Sequence, residues 1–109
     1  PDTPRPTPGA RPGDENGPMR AVAITVHGRV QGVGFRYSLR EEAQRRGVRG
    51  WVRNRRDGSV EALLSGDARE VDAVLAWAHQ GPPSAEVDRV DVADSSETAP
   101  DGFEIRATA

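Results

Sequence analysis

The run His27-Gly28-Arg29-Val30-Gln31-Gly32-Val33-Gly34-Phe35-Arg36 places a glycine-spaced turn between an apolar strand and a helix, with an arginine at the helix threshold. Such a turn presents backbone amides at a helix N-terminus, where they join the positive end of the macrodipole to form an anion site. Arg36 sharpens this reading. A cation in the first turn opposes the dipole at a cost of about 0.3–1 kcal/mol unless an anion lies between them. Gly32 and Gly34 let the backbone approach a ligand closely and adopt dihedrals closed to larger residues. The chemistry expected here is the grip of a phosphate group.

The elements that must hold this turn are legible from periodicity. Val22, Ile24 and Val26 alternate with small or polar residues, which predicts a half-buried strand over about Arg20–His27. Phe35, Leu39 and Ala43 then recur every four residues and Gly47 stands where a helix would stop. Arg49–Asn54 reads as a second strand around Trp51 and Val52, and Asp57-Gly58 as hairpin chemistry leading into Val60, Ala62 and Leu64. Asp67 followed by Glu70 resembles a capping box ahead of the apolar stripe Val71, Val74, Leu75 and Ala78, which ends before Gly81-Pro82-Pro83. Val87, Val90 and Val92 suggest a strand of uncertain register among acids, and a last short strand is expected over Phe103–Ala107. Trp51 and Trp77 are expected to pack between helix and sheet.

This order predicts an α+β fold, a ferredoxin-like α/β sandwich. It is a βαββαβ unit plus a short final strand, with two helices on one face of a mostly antiparallel sheet. The 109 residues suffice for one modest core. Residues 1–18 carry six prolines, three glycines and almost nothing apolar, and are expected to form a disordered extension. Met19 is a candidate start, and the folded domain is expected over residues 19–109. The extension lacks the apolar stretch of a secretory signal and the arginine-rich, acid-poor character of a transit peptide, so export is not indicated.

Charge is distributed unevenly. Met19 to Arg56 carries ten arginines against Glu41 and Glu42, whereas Asp57 to Ala109 carries three arginines against twelve acids. The half with the glycine turn is therefore cationic, which favours a small anionic ligand. All fifteen basic residues are arginine, so a Schiff-base lysine is excluded, and without cysteine there is no disulfide framework, thiolate nucleophile or Cys-type zinc site. His27 and His79 stand apart and do not make a metal site, and neither is assigned chemistry. No apolar run reaches the ~18 residues of a membrane helix. The expectation is a cytoplasmic monomer with no cofactor, no metal and no membrane partner.

The segments Val26 to Arg36, VHGRVQGVGFR, and Gly50 to Gly66, GWVRNRRDGSVEALLSG, resemble the two signature blocks of the acylphosphatases, and Gly81 to Val87, GPPSAEV, is also family-like. Two long blocks in the right order, separated by one helix, make the resemblance specific, and it extends over about residues 19–109. It implies metal-independent hydrolysis of acyl phosphates, the carboxyl-phosphate mixed anhydrides, to carboxylate and inorganic phosphate. The family's phosphate-binding arginine falls on Arg36 and its water-orienting asparagine on Asn54. Gln31, Gly32, Val33, Gly34 and Phe35 match the loop whose backbone amides surround the phosphoryl oxygens.

These implied roles suit the residue types. A guanidinium engages two phosphoryl oxygens through its planar fork, and a carboxamide offers both acceptor and donors to a water. Asn54 does not titrate near neutrality, so it is not a general base. A carboxylate leaves without protonation, so no general acid is required. Two rival functions come from other classes. An RNA-binding module would need aromatics on the exposed sheet face, but Val60–Ser65 contains none, and no nucleic-acid partner is expected. The other rival keeps the anion pocket without turnover, as a regulatory module or a segment like the amino-terminal part of carbamoyl-transferring hydrogenase maturation proteins.

Overall fold

The structure, a computed structural model, describes residues 18–109. The expected extension lies outside the described residues except for Pro18, whose carbonyl accepts the Ala68 amide. The elements run β1 (Met19–Arg29), α1 (Phe35–Arg45), β2 (Arg49–Asn54), β3 (Val60–Asp67), α2 (Ala68–Ala78), β4 (Glu86–Asp94) and β5 (Phe103–Ile105). The strands form one sheet in the order β4-β1-β3-β2-β5. All pairings are antiparallel except β2 with β5. This is the expected ferredoxin-like sandwich with its additional edge strand.

Alternation decides which side chains face the helices. Val22, Ile24 and Val26 of β1 stand opposite Leu64, Ala62 and Val60 of β3, and all six are essentially buried. Against them lie Phe35, Leu39 and Ala43 of α1 and Val71, Val74 and Ala78 of α2, which complete one apolar core. Helix α1 covers β2 and β5, and α2 covers β1 and β3. Behind α1, Glu42 is almost fully buried and is answered by the guanidinium groups of Arg45 and Arg46. Arg46 continues across to Glu70 at 3.3 Å, which joins the two helices.

Four local expectations change. Strand β1 is longer than predicted at both ends, since Met19 pairs with Asp67 of β3 and the pairing with β4 continues through a bulge at Gly28. Strand β5 stops at Ile105, and the chain beyond it stays beside β2 through isolated bonds from Arg106 N–H to Val52 O and from Ala109 N–H to Asn54 O. Only half of the capping box forms. Asp67 accepts from the Arg69 amide, while Glu70 turns to Arg46.

Trp51 is the fourth. It stands opposite Leu63 on the face away from the helices, with the Arg53 and Arg106 guanidinium groups 4.8 and 5.0 Å from its ring centre. Because β4 and β5 are opposite edges, their connection must cross the sheet, and the bond from Trp51 Nε1 to Glu97 Oε2 shows that it crosses this second face. Leu63 is fully buried on that face, apart from the main core. Trp77 does pack against the main core, 5.4 Å from the ring of Phe35.

Candidate functional site

Strands β1 and β2 run in the same direction with β3 between them, so their C-terminal ends share one end of the sheet, where α1 begins. Val26, Val60 and Asn54 lie in register across the three strands. Asn54 therefore faces the helix side, as Val26 and Val60 do, and sits two strand spacings from Val26, or roughly 10 Å. Helix α1 packs over β2 and β5, which sets its first turn and Arg36 above the same end. The topology thus gathers Gln31–Arg36 and Asn54 at one edge of the molecule.

The loop is anchored at both ends and open in the middle. Val30 and Phe35 are buried and Val33 packs partly against the core, while Gly32 and Gly34 are exposed. Both glycines have positive φ, 73° and 80°, and a methyl group added to either would meet nothing within 4 Å. Backbone conformation, not crowding, demands glycine there, and the amides stay unobstructed. From below, Gly81 lies under the Phe35 ring, where an added Cβ would come within 3.0 Å of the ring. The Gly81-Pro82-Pro83 segment thus supports the base of the loop.

The hydrogen-bond accounting of this corner is incomplete in an informative way. Gly34 caps α1 without a side-chain acceptor, and the first turn holds no acidic residue. Among the described residues, no acceptor is found for the amide hydrogens of Gln31 to Arg36. Arg36 is half-buried, stands 5.9 Å from the Tyr37 ring centre, and has no carboxylate within ion-pair distance among the described residues. Helix-end amides, the macrodipole and a guanidinium without a carboxylate partner among the described residues converge here, an arrangement suited to an anion.

Asn54 shows a matching deficit. Its Oδ1 is buried, with no donor among the described residues. Its backbone is held, since the Ala109 amide donates to the Asn54 carbonyl at 3.0 Å and the strand bonds of β2 with β3 end there. The carboxamide is therefore fixed at its Cα, with its oxygen left without a donor among the described residues.

The hairpin that follows is tightly bonded. Asp57 Oδ1 accepts from both the amide and the hydroxyl of Ser59, at 2.9 and 2.6 Å. These two bonds, aided by the charges of Arg55 and His27, hold the Asp57 carboxyl below the usual carboxylate range. Gln31 joins this hairpin to the loop. Its Nε2 donates to Arg55 O at 2.7 Å and to Ser59 O at 2.9 Å. Residue type and spacing placed Gln31 in the loop, but the reach of its side chain to residues 24 and 28 positions later has no local signature.

No group of three or more histidine, cysteine or acidic side chains arranged for a metal occurs among the described residues. No helix among them is long and apolar enough to cross a membrane. His27 pairs with Asp91 at 2.9 Å on the sheet face away from the helices, so it is not part of this corner.

A family model described as acylphosphatase matches residues 22–105. An acylphosphatase from Acidovorax sp. (strain JS42) is 55% identical over 85 residues, covering 78% of this chain and 88% of the relative. The solved structure of an acylphosphatase from Coxiella burnetii superposes with a TM-score of 0.77 at 33% identity, covering 81% of this chain and 93% of that one. Full-length HypF in its phosphate- and nucleotide-bound form also superposes, with a TM-score of 0.76 at 27% identity, but over only 12% of its own length.

Proposed function

Since the chain belongs to the acylphosphatase family, we propose that it hydrolyses acyl phosphates with Arg36 and the Gln31–Phe35 amides holding the phosphoryl group and Asn54 orienting the attacking water. The observation that carries this reading is the set of donors at the start of α1 that find no acceptor among the described residues, opposite a carboxamide whose Oδ1 finds no donor among them. Phosphoryl transfer asks chiefly for positioning and for stabilisation of charge on the equatorial oxygens, and backbone donors with one guanidinium supply both.

The water oxygen attacks phosphorus as the bond to the acyl oxygen breaks, and the electron pair of that bond leaves with the carboxylate. The water's proton passes to a phosphoryl oxygen, a substrate-assisted route that requires no ionising side chain. No metal is part of this scheme, in keeping with the donor set that the described residues bring to the corner, a guanidinium, amides and a carboxamide, which suits an anion better than a cation.

The test is turnover of a model acyl phosphate by the wild type, Arg36→Gln and Asn54→Ala, each with and without chelator. Inorganic phosphate should compete with substrate and chelator should change nothing. Arg36→Gln should weaken both phosphate binding and turnover, while Asn54→Ala should depress kcat and spare phosphate binding. A second reading is an anion-binding module without turnover, of which the likeness to a segment of phosphate-bound HypF supports the anion binding alone. Phosphate binding with no hydrolysis by the wild type would select it.

A further inference from the structure

The side chain of Gln31 does not enter the anion corner. It turns to the neck of the β2–β3 hairpin, and both hydrogens of its amide nitrogen are used there, on Arg55 O and Ser59 O. We propose that Gln31 is a positioning residue, a strut that sets the loop of anion-binding amides at a fixed distance from the hairpin carrying Asn54. This rests on the roles given above to the loop and to Asn54.

The neck is built to receive such a strut. Arg55 N–H donates to Ser59 O at 2.8 Å, and Gly58 N–H donates to Arg55 O at 3.1 Å. Each carbonyl thus already accepts one backbone hydrogen, and a carbonyl oxygen has two lone pairs. The Gln31 amide takes the second lone pair of both. Glutamate offers no hydrogen when ionised, and asparagine is one methylene too short, so the demand is for this side chain. Arg55 follows Asn54 directly, and its N–H, which Ser59 O accepts beside the Gln31 amide, belongs to the peptide plane shared with Asn54.

Among the described residues no other side chain in the middle of the loop bonds to the hairpin, and Val33 packs against the core instead. Gly32 and Gly34 have no side chains, and Val30 and Phe35 anchor only the two ends. Without the strut, the amides would still converge on phosphate, but their offset from the water-holding carboxamide would vary. Such a defect falls on the chemical step more than on binding. By reciprocity, an anion seated on the loop should also be felt at the hairpin.

A double-mutant cycle reads this directly. Gln31→Ala should lower kcat about tenfold, as the loss of well-placed hydrogen bonds would. In an Asn54→Ala background the same change should lower kcat by less than about twofold, because two residues acting through one step are not additive. The inhibition constant of inorganic phosphate should move by no more than about threefold, within the scatter of an indirect effect. Equal kcat losses in both backgrounds would overturn the strut. If Asn54→Ala itself left kcat unchanged, it is the role of Asn54 that would fail. A second measurement needs only the wild type: inorganic phosphate should shift the amide resonances of Arg55 and Ser59 together with those of Gly32 and Gly34. Shifts confined to the loop would also overturn the proposal.

Discussion

Replacement of Asn54 by alanine should make the protein more stable and much slower. The Oδ1 atom is buried without a donor among the described residues, and a buried unsatisfied acceptor costs about 1–3 kcal/mol. Alanine removes that atom, while the backbone at position 54 keeps its place opposite Val60 and the bond its carbonyl accepts from the Ala109 amide. Taking the lower end of the range to allow for lost contacts, the variant should gain about 1 kcal/mol, which raises Tm by about 4–8 °C in a domain of this size. Losing a donor or acceptor that acts in the transition state costs about 2.7–4 kcal/mol, so kcat should fall by about 10²–10³. Calorimetry without phosphate gives the first quantity and steady-state hydrolysis of a model acyl phosphate gives the second. A fall in Tm of several degrees would mean that the carboxamide is a structural group with a partner, and an unchanged kcat would mean that water is placed by something else.

Three further outcomes follow from the same geometry. Arg36→Gln removes a charge-assisted fork from the anion, so phosphate affinity should fall by about 1.5–3 kcal/mol in an equilibrium titration, while the phosphate-free protein gains about 0.3–1 kcal/mol from relief at the helix end; Arg36→Lys should restore only part of the affinity because the fork is gone. Glycine substitutions should divide by location. In Gly50→Ala the new Cβ would lie 1.8 Å from Leu63 O, so circular dichroism should show a protein that fails to fold, whereas Gly34→Ala meets no atom within 4 Å and should fold, about 1–2 kcal/mol weaker from its left-handed backbone, with impaired phosphate binding. The pH dependence centres on Asp57. Its folded pKa is depressed by the Ser59 bonds, so the stabilisation is present above the ordinary carboxylate pKa and is lost as pH falls through the lower folded value. The protection of the Ser59 amide against exchange, relative to its intrinsic rate at each pH, should therefore fall in acid in the wild type, while in Asp57→Ala it should be low at every pH.

The central architecture was legible because several independent signals agree on it. The four-residue spacing of Phe35, Leu39 and Ala43, the alternation in β1 and the Asp57-Gly58 turn each describe a local property of the chain, and all three elements form as read. The gathering of Arg36 and Asn54 at one sheet end follows from the topology alone, since β1 and β2 must run alike with β3 between them.

What escaped sequence reading is set by distant parts of the chain. Strand β2 is buried on both faces, so Trp51 and Val52 look alike to a periodicity argument, and only the crossing segment around Glu97 decides that Trp51 faces away from the helices. The end of β5 depends on how far its backbone follows β2, which no residue type near Ile105 announces. Asp67 and Glu70 have the spacing of a reciprocal cap, but Arg46 from the other helix competes successfully for the glutamate. Gln31 makes its bonds through the side chain, to carbonyls far ahead in the chain that no local pattern marks as its partners.

The path of the chain from β4 to β5 also orders events in time. A segment that spans the outer sheet surface from one edge to the other cannot settle until the strands beneath it have been aligned, and these strands are brought together from far apart in the chain, a slow process. The two indoles then act as clocks for different moments of assembly. Trp77, tilted against Phe35, would change its emission as the helices dock, and Trp51 would change again when Glu97 arrives to close over it.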